Sequence, residues 1–186
     1  LDLFDNPKNA IQLLEAYFKR NPRNAAALAA LSIAHFRADD WNAAQTVAKK
    51  ALAVNPKNTL AHSSLAQIAY SQGDYKQALT HTRSGLKADP GDIQLLTNHG
   101  GLLQVLGHRD QAETFYRETL ERYPQFFNGY YALTEILRFG DAEDPIIKQS
   151  HELADTLPEE TPDIGTLYFA LGRMYLQCGR DEKAWQ

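Results

Sequence analysis

A proline returns every 34 residues along most of this chain. The series consists of Pro22, Pro56, Pro90, Pro124 and Pro158. A second series with the same period consists of alanines, namely Ala10, Ala44, Ala78 and Ala112. A fixed period of this length is typical of repeat proteins, in which each unit buries its apolar face against its neighbours. The sequence therefore predicts a stack of copies of one small structural unit.

The apolar residues between the prolines have a helical spacing. In the segment 60–70, Leu65, Ile68 and Ala69 recur at steps of three and four residues, and a second set begins at Ala78. Each period is therefore predicted to contain two helices. A small alanine early in each second helix is expected where the two helices cross closely, since a larger side chain would separate them.

Turn residues mark where these helices should begin and end. Gly73 and Gly107 fall where a helix C-terminus favours a left-handed residue, and the Asp or Asn before several prolines favours a stop. Asp144 and Pro145 predict a capped helix start. The pair Gly100-Gly101 lies within a predicted helix, and we expect it to permit close approach of a neighbouring helix.

These features resemble the tetratricopeptide repeat family in their 34-residue period, the glycine before the second helix, the alanine and the closing proline. The residues that match the family pattern best are Tyr168, Leu171, Gly172, Tyr175, Gly179 and Ala184. The resemblance implies an all-α fold, a right-handed α-solenoid of antiparallel helix hairpins. It also implies a concave groove, lined mainly by first helices, that holds extended peptides.

The period predicts one continuous domain of several units. A partial leading repeat occupies 1–24, full repeats occupy 25–58, 59–92 and 93–126, a divergent repeat with a short insertion occupies 127–164, and a truncated repeat occupies 165–186. The fourth unit is called divergent because Ile146 stands where alanine is expected. Four extra residues, Thr161 to Ile164, precede the next hairpin and should alter the geometry of that joint.

The groove candidates are aromatic, amide, hydroxyl and arginine side chains at inward positions of the first helices. Aromatic rings and arginine dominate binding energy at interfaces, and amides can hydrogen-bond a peptide backbone. The predicted set is Phe36, Ser63, Gln67, Tyr70, Asn98, Gln104, Tyr131, Arg138 and Arg173. Glu135 and Phe169 share the inward register but are left outside this set. The family's paired Lys and Asn carboxylate clamp and its asparagine ladder have no counterpart here.

Composition and motifs argue against several other functions. The formal net charge is -4, which gives no basic surface for nucleic acid. The six histidines are scattered, the one cysteine has no CxxC partner, and phosphate-loop phrases are absent. We therefore predict no catalysis, no cofactor and no metal in this chain. No apolar run approaches the ~18 residues of a membrane span, so a cytoplasmic chain is expected, with a periplasmic one as the alternative.

The alternative function is that of a docking or regulatory region of an enzyme. The segments 130–139, 143–146, 167–172 and 179–185 are similar to the region that joins repeats to the catalytic domain in bacterial repeat-containing sulfotransferases. That resemblance implies a sulfotransferase domain beyond residue 186, and no donor-binding residue is carried onto this chain. The predicted partner is a protein or peptide segment, either from another protein, from such a C-terminal domain or from another copy.

Overall fold

The computed structural model describes residues 6–180, and within them it contains α-helices and no β-strand. The ten described helices are α1 (Pro7–Arg20), α2 (Ala25–Arg37), α3 (Trp41–Val54), α4 (Thr59–Ser71), α5 (Tyr75–Ala88), α6 (Ile93–Val105), α7 (Arg109–Arg122), α8 (Phe127–Ile136), α9 (Pro145–Thr156) and α10 (Ile164–Gln177). The predicted all-α fold of paired helices is confirmed. Ala184, one of the residues that carried the family resemblance, lies outside the described residues.

The helices group into two compact units, Leu1–Leu102 and Leu103–Gln186. In the first unit α2 packs on α3 and α4 on α5, and both α2 and α3 also contact α4. In the second unit α8 contacts α7 and α10, while α9 contacts α10. Each helix therefore packs mainly on helices that are near it in the sequence, as expected for repeat proteins.

Side-chain caps begin most helices of the first unit. The carboxamide oxygen of Asn24 accepts from the Ala27 amide at 3.0 Å, and Asn58 accepts from the Ala61 amide at 2.8 Å. Asp92 plays the same part for α6, accepting from the Leu95 amide at 2.9 Å. Asp40 and Asp74 cap α3 and α5 in the same way. These caps satisfy amides that the first helical turn leaves without partners.

The turns between α2 and α3, between α4 and α5, and between α6 and α7 each contain a left-handed residue. Gly73 has φ 78° and Gly107 has φ 76°, which confirms the prediction made for both residues. Asp39 occupies the corresponding place between α2 and α3 and has φ 60°. A residue with a Cβ atom is disfavoured in the left-handed region of backbone conformation. Asp39 therefore adopts a conformation that glycine adopts at lower cost.

The predicted close crossing of helices is confirmed at the alanine positions. Ala44, Ala78 and Ala112 are fully buried, and Ile146 is buried at the equivalent place in α9. The prediction for Gly101 is wrong, because a Cβ atom added there would meet open space. Gly129 is the glycine at a tight contact in α8, where a Cβ atom would lie 2.8 Å from the Phe126 ring.

Candidate functional site

Two aromatic rings, a guanidinium and a carboxylate meet on α8 and α10 of the second unit. The ring centroids of Tyr131 and Phe169 are 5.9 Å apart with an interplanar angle of 38°. The Arg173 guanidinium carbon lies 5.6 Å from the Tyr131 centroid and 6.0 Å from the Phe169 centroid. The same guanidinium forms an ion pair with Glu135 through Nη1 and Oε1. We call these four residues the aromatic cluster.

Helical spacing and burial explain why these four side chains share one surface. Tyr131 and Glu135 are four residues apart on α8, and Phe169 and Arg173 are four residues apart on α10, so each pair lies on one helix face. The other faces of the two helices are buried, with Tyr130, Leu133 and Thr134 of α8 and Leu167, Ala170 and Met174 of α10 in the core. Since α8 and α10 pack together, their exposed faces adjoin.

The aromatic cluster is open to solvent. Phe169 is 59% exposed and Tyr131 is 36% exposed, which is unusual for large aromatic side chains. Contacts of a cation with exposed rings are worth about 0.5–1 kcal/mol, and exposed ion pairs are worth no more. These contacts leave apolar ring surface exposed to solvent.

Arg138 is predicted to lie on a first helix, but α8 ends at Ile136, so Arg138 lies outside that helix. Because α8 ends early, backbone groups near its end lack partners within the helix. Side chains from distant helices form hydrogen bonds with these groups. Arg109 Nη2 donates to the Ile136 carbonyl, Gln177 Nε2 donates to the Thr134 carbonyl at 3.3 Å, and the Phe139 amide donates to Gln177 Oε1 at 3.0 Å. Arg138 is exposed in the segment that follows α8. The two hydrogen bonds of Gln177 connect Thr134 and Phe139 to the end of α10.

Gln104 is the remaining candidate of the second unit, and its amide already has a partner. Its Nε2 donates to the Tyr116 hydroxyl at 3.0 Å, and its side chain is half-buried. Burial of Tyr116 raises the pKa of its hydroxyl, and the hydrogen bond from Gln104 opposes that rise. The structure therefore places Gln104 in a contact between α6 and α7 rather than in the aromatic cluster.

The candidates of the first unit differ in their availability. Tyr70 is 49% exposed, with its ring centroid 5.3 Å from that of Tyr75, and Gln67 is half-buried on the same helix. Phe36 is half-buried and stacks on Trp41 with centroids 6.5 Å apart.

Polar candidates of the first unit are less open than expected. Asn98 is half-buried and its Oδ1 accepts from Gln94 Nε2 at 3.0 Å. Ser63 is 7% exposed, so little of its side chain is accessible to a ligand. It lies in the run 61–66 of α4, in which every residue is buried, so the helix has no open face at that point.

Two of the histidines, His62 and His99, are buried. The His99 Nδ1 atom is 2.8 Å from the Thr82 hydroxyl, and burial, with a smaller effect of Arg83, lowers the pKa of His99 to about 4. Among residues 6–180, no three His, Cys, Asp or Glu side chains are placed to hold one metal ion.

Sequence reasoning included half of the aromatic cluster. Tyr131 and Arg173 belong to the predicted set, whereas Phe169 and Glu135 were recognised as inward-facing but not chosen. The signal that identifies them is the four-residue spacing of each with a chosen residue on its own helix. No sequence signal marks the contact between the two helices, since they are separated by α9.

Comparison with known proteins agrees with the hairpin fold. Residues 4–68 and 59–84 match two family models, each described as tetratricopeptide repeat. No curated protein matches the chain. Over residues 4–84 the chain is therefore similar to tetratricopeptide repeat (TPR) proteins.

Several solved structures share this fold at low sequence identity. YrrB, described as a TPR protein with an unusual peptide-binding site, has a TM-score of 0.62 and 16% identity, over 92% of this chain and 86% of YrrB. PilF of Pseudomonas aeruginosa has a TM-score of 0.65 and 16% identity, over 97% of this chain and 88% of PilF. A TPR protein of Parabacteroides merdae has a TM-score of 0.61 and 22% identity, over 99% of this chain and 72% of that protein.

Two further predictions concern the resemblance to sulfotransferases and the lack of a membrane span. The resemblance to sulfotransferases gains no support from the matches and stays a prediction. None of the helices in the described part of the chain is both long and apolar enough to cross a bilayer.

Proposed function

We propose that this chain is a non-catalytic binding module that holds a peptide segment of a partner protein on the aromatic cluster of α8 and α10. The observation that carries the proposal is the exposed Tyr131–Phe169 pair, held in place by Arg173. Exposed aromatic residues beside an arginine are the composition typical of binding hot spots. The peptide-binding site of YrrB, a protein of the same fold, adds support.

The cluster suits an extended peptide in both shape and chemistry. The Phe169 ring offers apolar surface to a ligand side chain, and the Tyr131 hydroxyl and the Arg173 N–H groups offer hydrogen bonds to its backbone. A peptide must be ordered on binding, so the affinity at a single cluster should be modest. Tyr70 and Gln67, on α4, are proposed as a further contact within the first unit.

The test is to select peptides from a random displayed library on the purified chain and to measure the affinity of the selected peptide by calorimetry. Phe169→Ala and Tyr131→Ala should each weaken binding by roughly tenfold, since a hot-spot aromatic contributes more than about 1 kcal/mol. Tyr70→Ala tests the first unit in the same assay.

Tyr168→Ala is the matched control for the aromatic cluster. Tyr168 is an aromatic residue of the same helix and is 42% exposed, and its hydroxyl donates to the Ala154 carbonyl of α9 at 3.4 Å. Lys49→Ala, on an exposed position of α3, is a second control. Equal affinities for all of these variants and the unchanged chain would refute binding at the aromatic cluster.

A further inference from the structure

We propose that His62 of α4 and His81 of α5 together bind a divalent transition-metal ion such as Zn²⁺. The two imidazole rings belong to neighbouring helices of the first unit, and their centroids are 5.8 Å apart with an interplanar angle of 40°. The site is separate from the aromatic cluster and does not depend on peptide binding. It departs from the sequence prediction of no metal, because the fold brings the two residues together across two helices rather than within one.

His62 is held in the way that metal-ligating histidines are held in proteins. Its Nε2 atom lies 3.1 Å from the Pro56 carbonyl oxygen. Because a carbonyl only accepts, Nε2 carries the proton of the neutral ring and donates it, and Nδ1 keeps a bare lone pair. A hydrogen bond from one ring nitrogen to a backbone carbonyl is the usual support for a histidine whose other nitrogen binds a metal.

The Nδ1 atom of His62 has no partner in the described part of the chain. It is buried, in a residue that is 8% exposed, and no hydrogen-bond donor reaches it among residues 6–180. A buried polar atom without a partner is rare in proteins and calls for an explanation. A metal ion at this lone pair supplies one, since neutral imidazole is a common metal ligand.

His81 supplies the second ligand. Its side chain is half-buried, and its ring forms no hydrogen bond or ion pair with the described residues, so its nitrogens are available and the ring is free to turn towards His62. With metal–nitrogen distances of about 2.0–2.1 Å, two imidazoles on one tetrahedral ion have centroids roughly 5–6 Å apart. The observed separation therefore suits one ion between the two rings.

The surroundings make this a site of modest affinity. Among residues 6–180, no third His, Cys, Asp or Glu side chain is placed to share the ion, so water completes its coordination. Lys49 is near enough to His81 for its positive charge to act on the ring, and this charge opposes a bound cation. Since Lys49 is exposed, salt screens much of that effect.

The experiment titrates zinc chloride into the purified chain and follows the imidazole ¹⁵N signals. We expect the signals of His62 and His81 to shift together, at lower zinc concentrations than those of the other histidines. The melting temperature of the chain should rise over the same zinc range, because the ion binds a site that only the folded chain contains.

Four variants test the assignment of the ligands. His81→Ala should weaken zinc binding by at least about tenfold, since even the loss of a supporting partner of a ligating histidine costs that much. His62→Gln should weaken it as much, because glutamine keeps an N–H donor for the Pro56 carbonyl and removes the Nδ1 lone pair. Lys49→Gln should raise the affinity by roughly two- to fivefold, the size of an exposed charge interaction. His108→Ala, at an exposed position, is the matched control and should leave the affinity unchanged.

Two results would overturn the inference. One is the absence of any shift of the two rings up to millimolar zinc, which would leave an ordered water as the partner of His62 Nδ1. The other is an unchanged zinc affinity in both His81→Ala and His62→Gln. Neither result bears on peptide binding, because the aromatic cluster lies in the second unit and contains neither histidine.

Discussion

At the scale of single residues, Asp39 has the backbone conformation that glycine has at the equivalent turns. Its φ of 60° compares with 78° at Gly73 and 76° at Gly107. Its backbone amide donates to the Phe36 carbonyl at 3.1 Å, a contact that does not depend on the side chain. The turn therefore requires the conformation and not the aspartate itself.

Asp39→Gly should stabilise the chain by about 0.5–1 kcal/mol, because glycine adopts this conformation without the steric cost of a Cβ atom. Part of that gain is offset by the greater freedom of glycine in the unfolded chain. Urea unfolding would measure the difference. The reverse change at Gly73, Gly73→Ala, should destabilise by a similar amount, and a decrease for Asp39→Gly would contradict the argument.

His99 makes stability depend on pH. Its pKa is about 4 in the folded chain and about 6.5 when unfolded, so below pH 6.5 the unfolded chain binds the extra proton. The contribution of His99 to stability is complete above pH 6.5 and is lost progressively as the pH falls to 4. The loss amounts to about 3 kcal/mol.

The variant His99→Leu isolates this effect. It has no group that titrates at this position, so the free energy of unfolding should fall less steeply between pH 7 and pH 4 than that of the unchanged chain. Denaturant unfolding at several pH values gives both slopes. Parallel slopes for the two proteins would show that the burial of His99 does not govern the acid response.

At the scale of the helix, two glycines with the same helical conformation have opposite surroundings. A Cβ atom at Gly101 of α6 would meet open space, whereas one at Gly129 of α8 would lie 2.8 Å and 3.1 Å from Phe126 ring atoms and 3.1 Å from Leu120 Cδ2. Both Phe126 and Leu120 are buried, so neither side chain has room to move away.

Gly101→Ala should therefore stabilise the chain by about 0.5–1 kcal/mol through helix propensity alone. Gly129→Ala has the same propensity gain, but the overpacking against Phe126 should exceed it and lower stability by about 1 kcal/mol. Thermal unfolding of the two variants provides the comparison. A higher melting temperature for Gly129→Ala than for the unchanged chain would mean that the contact relaxes more easily than its geometry indicates.

Features caused by residues close together in the sequence could be predicted, whereas features caused by contacts between distant residues could not. The left-handed Gly73 and the cap at Asp144 could be predicted because the residues that cause them are neighbours in the chain. The end of α8 could not, since it depends on Arg109 and Gln177, which lie outside that helix. The same holds for Ser63, whose burial comes from packing. Tyr131 and Arg173 were predicted as inward-facing from the period, and their proposed role in binding stays untested.

At the scale of the whole molecule, the two compact units each have their own buried core. Ala78 lies in the first unit and is fully buried against Leu102 and Ala69. Repeat chains gain stability from neighbouring helices, and cooperativity over long distances in the sequence is correspondingly weak.

Ala78→Leu should overpack this core and destabilise the first unit by about 1–3 kcal/mol. Native-state hydrogen exchange should then show a large loss of protection in α4 and α5 and a smaller one in α8 and α10. Lys49→Ala, at an exposed position, should leave both regions unchanged. An equal loss of protection in both units would show that the chain unfolds as a single cooperative body.

The caps of the first unit also bear on how the gene can change in length. Asn24 and Asn58 stand 34 residues apart, Asp92 follows at the same interval, and all three start a helix with the same hydrogen bond. An unequal crossover that duplicates or deletes the DNA between two of these positions would join one capped start to another and leave each turn intact. We therefore expect the chain to tolerate insertions of 34 residues there. We expect less tolerance in the segment 137–144, where the Phe139 amide donates to Gln177 of another helix.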